Sequence, residues 1–247
     1  EQYHGAYMRP ERVHIYLTGK IDDMLLDRLN LYFGRKLETK GGVDAALILE
    51  PAHSYPDDER IQIVNVHDAA QSSVRMAIPV IARNHPDYIP LRIATVALGG
   101  YFGSRLMSNI REDKGLTYGI NAGLYGYREG SMVMIGAQTS NETVGELIEE
   151  TAKEIERLKT GDMSADELIR LQRFMYTQLL SQLDTSFAIM DYYENLRIND
   201  IKGDYFREQC EAINRITAQS ISEIAAKYFD LDSMRIAVAG NSEIINI

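Results

Sequence analysis

The sequence predicts an α+β fold, in which strands and helices follow one another along the chain. The first observation is periodicity: short stretches that alternate apolar and polar residues are separated by longer stretches with apolar residues every three or four positions. The second is a predicted hairpin. Residues 116–125 and 131–139 both alternate, and the loop between them contains Gly126 and Gly130, which indicates two antiparallel strands.

The N-terminal part predicts one strand, one helix and a linker. Residues 12–19 alternate apolar with polar or aromatic residues, as expected for a strand. Asp22 or Asp23 can cap the helix that follows, and Gly34 ends it. Residues 35–59 are interrupted by glycines, prolines and a charged run, which predicts a linker.

The longer C-terminal part predicts the remaining elements. Strands are expected at 60–66, 73–81 and 234–239, in addition to the hairpin. Helices are expected at 87–98, from near Asn141, after the capping box of Ser164 and Glu167, at 186–197, at 204–213 and from Thr217.

A short internal similarity predicts a modular organisation. Residues 233–240 (SMRIAVAG) are similar to residues 12–19 (RVHIYLTG), so a strand of one type occurs near both ends. We therefore predict that residues 1–34 are the strand and helix that end an upstream homologous module, that 35–59 are a linker, and that 60–247 are a complete module. Chance similarity between two apolar strands is the alternative.

The composition excludes several classes of partner. The formal net charge of −10 and the pI near 5.0 argue against nucleic acids and against anionic membrane surfaces. No apolar run is long enough to span a bilayer, and the N-terminus does not resemble a signal peptide. We expect a soluble protein, cytoplasmic or periplasmic, without choosing the compartment. Cys210, the single cysteine, predicts a small buried apolar residue.

Metal and nucleotide sites are not expected in this chain. No two of its histidines stand four residues apart, so neither H-E-x-x-H nor H-x-x-E-H can be formed. The glycines at 99–103 lack the Gly-Lys-Ser/Thr ending of a phosphate-binding loop, and no G-x-S-x-G sequence occurs. We therefore predict no metal ligand and no cofactor among the residues of this chain.

The segment 98–118 (LGGYFGSRLMSNIREDKGLTY) is the candidate functional stretch. Its first glycines predict a loop that needs a permissive backbone, after which Ser104 can cap a short helix. Gly115 is placed to end that helix in a left-handed conformation, and a strand is expected to start at Leu116. This turn sets the end of a helix beside the start of a strand.

Two hydrogen-bond donors, Arg111 and Tyr118, are seven residues apart across this turn and could lie close together. The alternative is structural. Arg111 is followed by Glu112 and Asp113 and could form a surface salt bridge, and Tyr118 shares the strand parity of a core-facing row. Periodicity alone favours the structural alternative.

The pattern G-G-x-x-x-S-R-L-x-x-x-I-R-E-x-x-G-L-T-Y resembles the signature of the second, non-zinc module of insulinase-type (pitrilysin-like) zinc metallopeptidases. That family includes the mitochondrial processing peptidase and the core subunits of the respiratory bc1 complex. The resemblance implies a mixed, largely antiparallel sheet with helices packed on one face. It also implies that the zinc, held by an H-x-x-E-H motif, belongs to an upstream module or a partner subunit.

The resemblance gives Arg111 and Tyr118 a role. In the family, an arginine and a tyrosine of the second module bind the carbonyl of the peptide bond, opposite a zinc-activated water. Those positions match Arg111 and Tyr118 here, so a peptide is the implied substrate, and this chain alone is expected to hydrolyse nothing. Whether the whole protein is an enzyme stays open. The alternative is a non-enzymatic assembly or peptide-binding module with a vestigial cleft.

Overall fold

The computed structural model describes residues 13–34, 60–127 and 130–247. Contacts between Cα atoms divide the chain into two units: Glu1–Asp58 with Gln182–Asn195, and Glu59–Ser181 with Leu196–Ile247. The predicted linker lies outside the described residues. The division into an upstream tail, a linker and one complete module stays a prediction.

The chain forms five strands and seven α-helices within the described residues. In order these are α1 (Asp23–Phe33), β1 (Ile61–Asn65), β2 (Gln71–Val80), α2 (Tyr88–Gly99), a π helix (Met107–Asp113), β3 (Ile120–Gly126), β4 (Ser131–Ser140), a 3-10 turn (Asn141–Thr143), α3 (Val144–Lys159), α4 (Ala165–Ser181), α5 (Ser186–Ile198), α6 (Tyr205–Arg215), α7 (Ala218–Tyr228) and β5 (Arg235–Gly240).

The smaller unit confirms one prediction and corrects another. The Asp22 carboxylate accepts a hydrogen bond from the Leu25 amide at 3.0 Å, which caps α1 as predicted. The strand predicted at 12–19 is wrong, because residues 13–18 adopt no regular secondary structure. Strand pairing needs a second extended backbone, and none of the strands of the described residues belongs to this unit.

The larger unit is built on a five-stranded mixed sheet. Its strand order is β1-β5-β2-β4-β3; β1 and β5 are parallel, and every other pair is antiparallel. The hairpin of β3 and β4 is confirmed, although β3 begins at Ile120 rather than at Leu116. This sheet confirms the predicted mixed and largely antiparallel arrangement.

One face of this sheet is buried, and the other is open. Val74, Met76 and Ile78 of β2 are all buried, and α2 and the other helices of this unit pack over that face to form the core. On the opposite face Arg75 of β2, Asn121 of β3 and Gln138 of β4 are exposed. Helices on one face were therefore predicted correctly. Among residues 13–34, 60–127 and 130–247, no helix is long and apolar enough to cross a bilayer.

The predicted capping box at the start of α4 forms only in part. The Ser164 hydroxyl accepts from the Glu167 amide at 3.1 Å, as predicted. The Glu167 carboxylate, however, binds the Arg105 guanidinium at 2.7 Å. Arg105 lies in the helical residues that directly precede the π helix. This largely buried ion pair therefore fixes the start of that helix against α4.

Candidate functional site

The segment between α2 and β3 is a widened helix rather than an α-helix. The Lys114 amide donates to the Asn109 carbonyl, five residues back, at 3.0 Å. Gly115 has φ +64°, so the predicted left-handed stop is confirmed. The predicted cap is wrong: the Ser104 hydroxyl is buried and has no hydrogen-bond partner in the described part of the chain. Local π geometry is frequent at functional sites.

The glycines before this helix serve close packing rather than an unusual backbone conformation. Within the described residues, positive φ occurs at Gly115 but not at Gly99, Gly100 or Gly103, so that expectation is wrong. A Cβ atom at Gly99 would lie 2.6 Å from the Ala122 amide nitrogen. The end of α2 therefore approaches β3 as closely as a backbone without a side chain allows.

Arg111 is held to the backbone on the far side of the turn. Its Nε donates to the carbonyl oxygen of Tyr118 at 3.0 Å, and its guanidinium carbon lies 4.8 Å from the centroid of the Phe102 ring. The ion pair with Glu112 is long, at 3.7 Å, and the side chain is 34% exposed. Arg111 is therefore oriented by a hydrogen bond and an aromatic ring, and only weakly by a carboxylate.

Tyr118 is 93% exposed, so it is not part of the core-facing row. The reason lies one residue earlier. The Thr117 hydroxyl is directed inward, where it donates to the Gln138 carbonyl and accepts from the Gly119 amide at 3.1 Å. Because Thr117 occupies the inward position just before β3 begins, Tyr118 turns outward. The structure brings Arg111 and Tyr118 together and leaves both accessible.

A buried polar network anchors the π helix to α3. The Asn109 amide nitrogen donates to the Glu154 carboxylate at 2.7 Å and to the Glu150 carboxylate at 3.3 Å. These carboxylates are only 4% and 7% exposed. Lys153 hydrogen-bonds Glu150 and holds the pKa of that carboxyl below its ordinary value. Asn109 is two residues from Arg111, so this network fixes the base of the candidate site.

A shallow groove of about 230 Å³ runs over the open face of the sheet beside Tyr118. Arg75 of β2, Gly136 of β4 and Asn121 of β3 are paired in register and form one row across three strands. The other lining residues are Gln71, Thr117, Gly119, Ala137 and Gln138. Tyr118 therefore lines a polar groove that has a glycine in its floor.

Several of these residues were missed by sequence reasoning. Glu150 and Glu154 lie on the apolar stripe of α3 with Leu147 and Leu158, and carboxylates at core-facing positions are a usable signal of a buried polar network. Arg75 and Phe102 carry no comparable signal, because their neighbours are distant in sequence. In the described ranges, no group of three or more His, Cys, Asp or Glu residues could hold a metal ion.

Comparisons with known proteins agree with this architecture. Residues 1–175 match the family described as the peptidase M16 inactive domain. The "Uncharacterized zinc protease YmxG" of Bacillus subtilis is 24% identical over 231 residues, covering 94% of this chain and 54% of its own length. The human mitochondrial-processing peptidase subunit beta is 25% identical, covering 95% of this chain and 48% of its own length.

Solved structures give the same result. A peptidase M16 inactive domain from Pseudomonas fluorescens superposes with a TM-score of 0.68 at 25% identity, over 76% of this chain and 45% of that one. A protease from Helicobacter pylori shares the fold with a TM-score of 0.77 at 17% identity, over 96% and 57% of the two chains. The chain spans about half the length of the curated relatives it matches. It belongs to the peptidase M16 inactive-domain family, within the insulinase-like zinc protease group.

Proposed function

We propose that this chain supplies the non-zinc wall of a metallopeptidase cleft, where Arg111 and Tyr118 bind the carbonyl oxygen of the peptide bond to be cleaved. The zinc would belong to an upstream module or a partner subunit. The role of the chain is to bind and orient the peptide.

The proposal rests on the contact between Arg111 and Tyr118 and on the solvent exposure of both side chains. Arg111 uses Nε to hold the Tyr118 backbone, and within the described residues its terminal nitrogens have only the long Glu112 contact. These nitrogens can therefore donate to a ligand. The Tyr118 side chain is almost fully exposed, so its phenol can donate to a ligand, and we propose that this ligand atom is the same carbonyl oxygen.

The expected catalytic benefit follows from preorganisation. A peptide carbonyl gains negative charge as it is attacked, and donors already in place stabilise that charge more than they stabilise the ground state. Removing one such donor typically costs about 3–4 kcal/mol, which is roughly a hundredfold to a thousandfold in kcat. The Phe102 ring adds an apolar contact that keeps the guanidinium plane fixed.

The relatives support the division of labour. Those named zinc proteases are about twice as long as the matched region, which leaves room in them for a second module. The mitochondrial-processing peptidase relative is named as a subunit, so a separate chain is also a possible carrier of the zinc. We therefore propose an upstream module or partner subunit as the carrier, and a peptide as the substrate.

The test uses the full-length protein, or this chain together with its zinc-bearing partner. Tyr118→Phe and Arg111→Ala should each lower kcat on a peptide by roughly a hundredfold or more, with a small change in KM. Arg111→Lys keeps the charge but loses the Nε bond to Tyr118, and should recover little activity. Tyr127→Phe is the control: it removes the same hydroxyl group from another exposed tyrosine, outside the site, and should leave kcat unchanged.

Unchanged turnover in Arg111→Ala and Tyr118→Phe, with normal folding, would contradict the proposal. If the wild-type complex binds peptide but does not hydrolyse it, the peptide-binding module is favoured. If it neither binds nor hydrolyses peptide, an assembly role with a vestigial cleft is favoured.

A further inference from the structure

The groove on the open sheet face contains a cation, Arg75, that has no carboxylate partner in the described part of the chain. Its lining includes Arg75 and the amide side chains of Gln71, Asn121 and Gln138, but no acidic residue. Among the described residues, the Arg75 guanidinium has only backbone partners: NH1 donates to the Val74 carbonyl at 2.9 Å and is 3.5 Å from the Ala137 carbonyl. The chain as a whole has a net charge of −10, so this guanidinium is a local positive site.

Gly136 explains how Arg75 lies in the groove. The two residues are direct cross-strand partners, and a Cβ atom at position 136 would lie 3.2 Å from the Arg75 NH1 and 3.3 Å from its Cζ. The guanidinium therefore occupies the space that a side chain on β4 would fill. With NH1 bound to the backbone, Nε and NH2 remain as donors for a ligand, and Asn121 follows in the same row.

We infer that this groove binds an acidic side chain of the peptide substrate, with Arg75 pairing its carboxylate. A guanidinium matches the planar carboxylate, and neighbouring amide groups can donate to the same oxygens. Tyr118 lines the groove, so the acidic residue would lie near the peptide bond held by the Arg111 and Tyr118 pair. The position of the acidic residue near the cleaved bond rests on the proposed function. The binding of its carboxylate depends on Arg75 alone.

The preference is local. The strongly negative chain repels a peptide that is acidic throughout, whereas a single Asp or Glu opposite Arg75 gains a short-range, charge-assisted hydrogen bond. The inferred substrate is therefore a peptide that is neutral or basic overall, with one acidic residue at a fixed distance from the cleaved bond.

The first experiment measures cleavage specificity. The full-length protein, or this chain with its zinc-bearing partner, digests a library of C-terminally amidated peptides, and cleavage sites are read by mass spectrometry. Asp and Glu should be enriched at one position relative to the cleaved bond. Arg75→Gln should abolish that enrichment and lower kcat/KM for an acidic peptide about tenfold, but not for its Gln-matched counterpart. Arg75→Glu should shift the enrichment to Lys and Arg.

Arg235→Gln is the matched control. Arg235 is exposed on β5, on the same face of the sheet but outside the groove lining, so its replacement should leave the acidic preference intact. A wild-type protein without any acidic preference, or an Arg75→Gln protein that keeps one, would overturn the inference. Equal loss of preference in Arg235→Gln would reduce the effect to general electrostatics, which also overturns it.

A binding measurement separates this inference from the proposed function. Fluorescence anisotropy of a fluorescein-labelled peptide with one Glu, compared with its Gln counterpart, needs no turnover. If Arg111→Ala and Tyr118→Phe leave cleavage unchanged while Arg75→Gln removes the preference for the Glu peptide, the groove is correct and the carbonyl role is wrong. Equal or undetectable binding of both peptides to the wild-type protein would refute the acidic-side-chain site.

Discussion

Asn109→Asp is the sharpest test of how the candidate site is anchored. The side chains have the same shape, so the substitution changes chemistry without creating a cavity. An oxygen with no proton would replace the nitrogen that lies 2.7 Å from the Glu154 carboxylate and 3.3 Å from the Glu150 carboxylate. Three carboxylates would then meet in a site where the two glutamates are nearly inaccessible to solvent and are already paired with Lys153 and Arg157.

The loss of unfolding free energy is set by the change that relieves the repulsion at the lowest free-energy cost. The introduced carboxyl group takes up a proton, so its folded-state pKa rises well above the ordinary value of about 3.9. Holding it protonated costs at most about 4 kcal/mol at pH 7 and about 1.5 kcal/mol at pH 5, because Lys153 and Arg157 also stabilise a charged carboxylate at this place. The variant is therefore most destabilised at neutral pH, and its penalty shrinks as the pH falls toward the unfolded-state pKa.

The assay is urea unfolding of both proteins at pH 7 and pH 5, followed by circular dichroism. The difference in unfolding free energy should shrink between these pH values by up to about 2.7 kcal/mol, the limit of about 1.4 kcal/mol per pH unit for one proton. Asn109→Ala serves as the control, because it removes the hydrogen bonds without adding a charge and should cost nearly the same at both pH values. A penalty for Asn109→Asp that does not change with pH would refute the bridging role of Asn109.

Three further predictions concern the frame around the site. Gly99→Ala should lower the unfolding free energy by about 1–3 kcal/mol, because a methyl group would meet the Ala122 backbone at 2.6 Å; unchanged denaturant midpoints would contradict that close approach. Tyr228→Phe removes a 2.6 Å hydrogen bond to the Asp87 carboxylate, so the free energy of unfolding should fall by about 1 kcal/mol. Hydrogen bonds from Lys227 and, next, from Tyr228 lower the pKa of Asp87, so that pKa should rise in an NMR titration of the variant. The pKa of Glu150 is lower in the folded state than its ordinary value of 4.5, so its ionised carboxylate stabilises the fold at pH values above 4.5. This contribution is lost as the pH falls through the folded-state pKa. Glu150→Gln should consequently flatten the acid limb of a stability–pH curve, and an unaltered limb would show that Glu150 does not contribute.

Much of the fold was predictable because its signals are local. The cap at Asp22, the helix start at Thr217, the left-handed stop at Gly115 and the β3–β4 hairpin all follow from residues within a few positions of each element. The strand predicted at 12–19 failed for the opposite reason. Alternation predicts a strand only where a partner exists, and pairing is a property of the whole fold.

The candidate site was predictable as two residues but not as a geometry. Strand parity placed Tyr118 in the core, and the structure reverses this through the Thr117 hydroxyl, which finds its acceptor at Gln138 across the hairpin. The pairing of Arg75 with Gly136 could not be predicted from the sequence for the same reason, because sheet register joins positions that are far apart in sequence. Non-local hydrogen bonding decided both cases.

The Arg111 contact to the main chain, rather than to the phenol, makes the two donors separately adjustable. Because Nε binds the Tyr118 carbonyl oxygen, replacing the ring at position 118 leaves that anchor in place. Fluorinated tyrosines could then vary the acidity of one donor in graded steps while the other stays fixed. A plot of turnover against phenol acidity would become a direct gauge of the charge that the reacting oxygen carries.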